Sequence, residues 1–243
     1  LERAKEQGIG HYFVPRYTRV VDTAESKDNI NKAYNLISTS KVRNEMIIDD
    51  VITCVARKQT PVILTRFKEH AKFLHDALKE KADHVFLLYG DNSDKENAEI
   101  RVKLKQIPEN ESLILVATGQ KIGEGFDFPR LDVLMLAAPV SFEGRLEQYV
   151  GRLNRDYVGK EAVYVYDYID SHVRYFDKMY AKRLRTYRKM GFSMWTQELQ
   201  PKQIINAIFD SVNYTEKFEQ DIVESEKMVV ISSPDIRQDK IDR

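Results

Sequence analysis

The chain has 243 residues, 42% of them apolar and 31% charged, with Lys+Arg and Asp+Glu balanced at 38 each. That length holds one large domain, or one domain with appendages, around an ample core, and a balanced charge argues for no polyanion partner except through its distribution. One cysteine, Cys54, excludes an internal disulfide framework and suits a reduced, cytoplasmic setting, while no apolar run approaches the ~18–20 residues of a membrane span.

The chain opens on Leu1-Glu2-Arg3-Ala4-Lys5, which is neither an initiator methionine nor a signal peptide, so it is expected to be a piece of a longer protein. Tyr12 to Thr18 reads as an extended segment. Asp28 to about Ile37 and Ser40 to Lys58 read as helices, the second with Val42, Met46, Val51 and Val55 near one stripe. Short apolar runs then mark strands at Pro61 to Thr65, His84 to Leu88, Ser112 to Ala117, Asp132 to Ala137 and Ala162 to Ile169. Helical patterns separate them: Phe67 to Lys81, a Ser93-capped helix to about Gln106 stopped by Pro108, and Ser141 to about Asn154. This alternation predicts an α/β fold, a parallel sheet with helices on both faces. Leu113 to Val116 and Val133 to Leu136 suit central strands covered on both sides. A long helix follows over about His172 to Met190, ended by Gly191. The tail gives helices near Gln203 to Phe209 and Tyr214 to Ser225, then a strand at Met228 to Ser232.

Two segments carry chemistry. Gln148-Tyr149-Val150-Gly151-Arg152-Leu153-Asn154-Arg155 sets two arginines three residues apart, a spacing that shares one face of a helix. Upstream, the apolar strand ends in Ala117-Thr118-Gly119 and runs through Gly123-Glu124-Gly125 to Asp127-Phe128-Pro129. Glycines there permit backbone conformations that side chains would block. These segments resemble motifs VI and V of superfamily 2 helicases, and Val62 to Phe67 resembles motif IV. The resemblance covers roughly residues 55 to 190 and looks like the C-terminal RecA-like domain of such a protein, related to type III restriction subunits.

The resemblance implies a set of roles. Arg152 and Arg155 would face the γ-phosphate of ATP held by an N-terminal RecA-like domain of the same polypeptide. Fixed guanidinium forks suit that task because they stay ionised. Gln148 would relay nucleotide state, and Gly125, Asp127, Glu124 and Gly151 would form this domain's nucleotide-binding set: Gly151 would allow close approach, Gly125 the backbone conformation, Glu124 would support the interface, and Asp127 would lie near the ribose. Thr118, and at the end of the motif IV strand Thr65 and Arg66, would touch a nucleic-acid phosphate backbone; for the last two, an ordinary capped strand-helix turn is the other reading. The helix from His172 carries Arg174, Lys178, Lys182, Arg183, Arg185, Arg188 and Lys189 against the single acid Asp177. It reads as a nucleic-acid contact through Arg183 and Arg185, or as the solvated face of an amphipathic helix.

What the chain lacks also speaks. A P-loop would read G-x-x-x-x-G-K-[ST], but Gly159-Lys160 is followed by Glu161, and no Asp-Glu box follows an apolar strand. The chain is therefore expected to lack its own P-loop, to rely on the first domain for ATP and Mg2+, and to be inactive as an ATPase alone. His70-Ala71-Lys72 begins like a phospholipase D H-x-K motif, yet Ala77 stands where the acid belongs. No metal site is expected, and Cys54 reads as core. Ile208-Phe209-Asp210 through Ile231-Ser232-Ser233-Pro234 resembles the opening of a phospholipase D-like domain, as some helicases of this group carry. The expected division is an exit segment from the first motor domain over 1–25, the RecA-like domain over 26–190, and a helical extension with a truncated further domain over 191–243. The function implied is the C-terminal motor domain of an ATP-dependent helicase or translocase acting on DNA, with RNA as the alternative. The rival readings are the motor of a restriction or nuclease system, and a degenerate RecA-like interaction module.

Overall fold

The computed structural model describes residues 9–195, apart from 91, 120–126, 141–142 and 156. The chain divides into two compact units, Leu1–Thr196 and Gln197–Arg243. The helices and strand expected of the tail, and its phospholipase D-like resemblance, fall outside the described residues.

Seven strands form one sheet in the order β3-β4-β2-β5-β6-β1-β7. They are β1 (Gly10–Tyr17), β2 (Pro61–Thr65), β3 (His84–Leu88), β4 (Leu113–Thr118), β5 (Val133–Leu136), β6 (Ala162–Ile169) and β7 (Ser193–Met194). Every pairing is parallel. The helices are α1 (Ala24–Asp28), α2 (Ile30–Thr39), α3 (Lys41–Ala56), α4 (Lys68–Leu78), α5 (Asp94–Gln106), α6 (Glu143–Leu153) and α7 (Arg174–Lys189). This is the α/β architecture expected from the strand-helix alternation.

Side chains alternate between two layers, as a strand's two-residue period requires. Val62, Leu64, Leu115, Leu134 and Val165 face α5, α6 and α7, packing on Leu104, Leu146, Val150 and Tyr187. Ile63, Ile114, Met135 and Tyr166 face α3 and α4, packing on Ile47, Val51, Leu74 and Leu78. Strands covered on both sides read as continuous apolar runs, which is why β2, β4 and β5 stand out in the sequence. Cys54 is fully buried in the second layer, and burial pushes its thiol up to about 12, so it is an inert core group.

The boundary expected at residue 25 does not coincide with a break in the sheet. Gly10 to Tyr17 pairs along its whole length with β6, from Gly10 opposite Ala162 to Tyr17 opposite Ile169. Phe13 sits in the core, stacked on Tyr187 with ring centroids 4.9 Å apart. The sheet also runs past residue 190, because β7 pairs with Tyr12 and Phe13.

Buried polar groups organise the carboxyl edge of the sheet. Arg43 on α3 is 1% exposed; its Nε donates to Asp170 Oδ1 at 2.9 Å and its Nη1 to the Ala137 carbonyl at 2.8 Å. Arg183 on α7 forks onto Asp167 through two 2.8 Å bonds and donates to the Val140 carbonyl at 3.1 Å. Tyr34 on α2 donates to the Pro139 carbonyl at 2.7 Å. Three side chains from three helices thus hold three carbonyls of the turn between β5 and α6. Beside them, His70 bridges Thr65 Oγ1 through Nδ1 (2.6 Å) and Asn44 Oδ1 through Nε2 (2.9 Å).

Breaking one member of a buried pair leaves an uncompensated charge. Arg43→Met should cost about 3–5 kcal/mol, and adding Asp170→Asn should restore part of it in urea melts. For His70, burial first and the Arg43 charge second push the ring down to about 3 from 6.5. The unfolded ring binds its proton more readily, so this contribution is complete above pH 6.5 and is lost as pH falls. Its slope reaches at most ~1.4 kcal/mol per pH unit. Asp132, raised by burial to about 6, acts in the opposite sense, so the comparison belongs against His70→Gln, which keeps Asp132. Wild type should lose stability more steeply than His70→Gln between pH 7 and 5; equal slopes in urea melts would refute the assignment.

Candidate nucleotide and nucleic-acid interface

Parallel sheets gather their ligand crevices at the carboxyl ends of the strands. Here Thr65 ends β2 and Thr118 ends β4, and the two are register neighbours. Both are largely buried, and the Thr65 hydroxyl is engaged with His70. Of the motif IV residues it is Arg66 that reaches the surface. Its guanidinium lies 4.4 Å over the Tyr34 ring and donates to Asn31 Oδ1 at 3.3 Å. That perch limits the rotamers of a long side chain without neutralising it.

The motif V strand and the motif VI helix touch directly. Tyr149 on α6 donates to the Gly119 carbonyl at 3.1 Å. Burial raises the Tyr149 hydroxyl above its ordinary range, so it is a donor at neutral pH. A Cβ on residue 119 would stand 2.6 Å from that oxygen, so any other residue there would have to displace the tyrosine hydroxyl and its hydrogen bond. Gly123, Glu124 and Gly125 lie outside the described residues. Where the chain resumes, Asp127 Oδ1 stands 3.5 Å from Arg155 Nε, both side chains more than half exposed.

The expectation that Arg152 and Arg155 share a helical face is not met. Helix α6 ends at Leu153, with Asn154 N donating back to the Val150 carbonyl. Beyond it the Lys160 ammonium gathers the carbonyls of Leu153 (2.8 Å), Arg155 (3.0 Å) and Pro129. A cation on terminal carbonyls stabilises a helix end; here it turns the chain out of the helix and ties the Arg155 loop to the turn after Asp127. From β1, His11 Nε2 meets Asn154 Oδ1 at 2.9 Å. Arg152 is half-buried and Gln148 exposed on one flank of α6, and both are engaged by other groups. Gly151 is exposed, and a Cβ there would meet nothing within 4 Å, so that flank is open.

Arg183 requires a correction. It is 2% exposed, and its guanidinium is spent on Asp167 and the Val140 carbonyl. Burial works against its charge, but the Asp167 carboxylate more than offsets this and holds its pKa above the ordinary value. It belongs to the interior, not to a nucleic-acid surface. Arg185 is exposed, in a stripe with Arg174, Lys178 and Lys182. Sequence reasoning missed Lys160 and Tyr149. Gly159-Lys160 was weighed only as a P-loop fragment, although a lysine shortly after a helix end is itself a capping signal. Among the described residues no group of three His, Cys, Asp or Glu side chains could hold a metal ion, and no helix is long and apolar enough to cross a membrane.

No protein-family model matches the chain. Transcript termination protein A18 of Yaba-like disease virus is 29% identical over 171 residues, covering 66% of this chain and 35% of that protein. Protein 161L of Invertebrate iridescent virus 6, provisionally designated a helicase, is 33% identical over 118 residues, covering 48% of this chain and 22% of that one. The chain spans roughly a third of the length of the curated relatives it matches. T4 UvsW superposes with a TM-score of 0.60 at 19% identity, over 78% of this chain and 42% of that one. The chain thus shares with T4 UvsW a RecA-like fold, a parallel sheet with helices on both faces.

Proposed function

We propose that this chain is the C-terminal motor domain of an ATP-dependent nucleic-acid helicase or translocase, completed by an N-terminal RecA-like domain of the same polypeptide. The observation that carries the reading is the meeting of Asp127 and Arg155 at 3.5 Å on an exposed surface, beside the open flank at Gly151. An exposed pair of this kind is worth only about 0–1 kcal/mol, so a triphosphate can displace it at little cost. Arg155, with Arg152, then stabilises charge on the phosphate oxygens, and Asp127 is left to accept from a ribose hydroxyl. Mg2+ would find its ligands on the nucleotide and the other domain. In this reading ATP is the substrate shared between domains, and this chain alone does not hydrolyse it.

The nucleic-acid track runs along the carboxyl edge, past Thr118 and Arg66. The exposed basic stripe of α7, Arg185 included, is a second contact. Tyr149 links the two functions, because it sits in the arginine-bearing helix and holds the backbone next to Thr118. The naming of relatives as transcript termination proteins makes RNA as well as DNA a substrate to try.

The test uses the parent polypeptide with both motor domains. Arg155→Ala and Arg152→Ala should each lower nucleic-acid-stimulated ATP hydrolysis by ~10³-fold or more, and the exposed Arg155→Ala should do so without shifting the thermal midpoint. Hydrolysis within a few-fold of wild type would defeat the arginine assignment.

A further inference from the structure

A cleft of about 520 Å³ opens at the carboxyl edge of the sheet, between the end of α2 and the first turns of α3 and α4. Its size falls within the range of about 300–1,000 Å³ typical of small-ligand sites. Phe67 and Phe73 supply its apolar walls, Asn35, Ser38, Asn44 and His70 its polar ones, and the exposed Lys41 and Glu69 put one charge of each sign at its mouth. None of the roles derived above uses it.

Phe73 is 50% exposed on a helix whose other outward side chains, Lys68, Glu69, Lys72 and Asp76, are charged. Nothing in the core of this domain requires an aromatic ring there. The opposite wall is rigid. Asn44 Nδ2 donates to the Ser38 carbonyl at 2.8 Å while its Oδ1 meets His70 Nε2, so its amide cannot flip freely. His70 has both ring nitrogens engaged and stays neutral, so this wall carries no charge that would repel or trap an ion. Asn35 presents an exposed amide at the mouth. The cleft begins one residue beyond Arg66, whose fork is held over Tyr34.

We infer that this cleft takes a base turned out of a single nucleic-acid strand whose backbone passes Arg66. Aromatic rings that stack a base, beside amides that read its edge, are the chemistry by which unpaired bases are held. Arg66 and Lys41 at the rim, next to the aromatic rings and the neutral His70, match the two ends of a nucleotide, phosphate outside and base within, while Glu69 at the mouth limits where a phosphate can lie. The inference rests on the nucleic-acid reading proposed above and adds to it a contact to the base itself.

The experiment measures binding of the full chain to a single-stranded oligonucleotide, as DNA and as RNA, carrying one 2-aminopurine. Anisotropy reports affinity, and 2-aminopurine emission reports stacking. Phe73→Ala should weaken binding by about 5- to 100-fold, the loss of one stacked base, relieve the quenching of the probe, and leave the salt dependence unchanged. Arg66→Ala should weaken binding and flatten the salt slope by about one phosphate contact. An oligomer of abasic sugar-phosphate units should bind wild type and Phe73→Ala equally. If Phe73→Ala binds like wild type while Arg66→Ala is impaired, the base site is overturned and the backbone reading stands. If neither change matters, or wild type binds no oligonucleotide, both fall.

Discussion

Two ion pairs buried at the carboxyl end of β6 set the geometry on which the candidate site depends. Arg43 with Asp170, and Arg183 with Asp167, reach from helices on opposite faces of the sheet. Each arginine has a donor left over for a carbonyl of the turn that leads into α6. Buried pairs add little net stability compared with apolar side chains of the same volume, yet they are costly to break. Their effect is specification: the turn from Ala137 to Val140 accepts one hydrogen bond from each guanidinium group and one from the Tyr34 hydroxyl, although Arg43 Nη2 and Asp170 Oδ2 are left buried without a partner. Helix α6 inherits its position from that turn.

The same chemistry at a different depth does the opposite. Arg155 and Asp127 also form an ion pair, but in water, where screening and side-chain entropy leave it weak. The domain thus combines arginines that cannot leave their partners with one that can. Lys160 supplies the intermediate case, since it holds backbone carbonyls, those of Leu153 and Arg155 among them, rather than a carboxylate.

Much of the fold was legible in the amino-acid pattern, for physical reasons particular to each element. β2, β3 and β6 match their expected ranges; β2 does so because a doubly covered strand is an unbroken apolar run bounded by turns. The capping box at Ser93 and Glu96 marked the start of α5. The pairing of β1 was not legible, because parallel register over some hundred and fifty residues leaves no local trace. Pro15 is tolerated there because β7 pairs only with Tyr12 and Phe13, leaving the proline's missing donor outside a ladder. In the site, the motif spacing drew attention to Arg152, Arg155 and Asp127, but not to the end of α6 between the two arginines. That end depends on Lys160 reaching back from a later turn. Arg183 and Arg185 look alike in sequence; Asp167 alone distinguishes them, and it is visible only in three dimensions.

The contact between Tyr149 and Gly119 makes two distant positions depend on each other. Among the described residues, the tyrosine oxygen is the atom that a side chain at 119 would strike hard; the ring carbon that bears it stands 3.7 Å away. A lineage that exchanged the tyrosine for phenylalanine would gain room for alanine, and would also lose the hydrogen bond that rewards the glycine. The pair should therefore drift together or not at all, and an alignment of distant homologues would show glycine at the first position wherever the second keeps its hydroxyl.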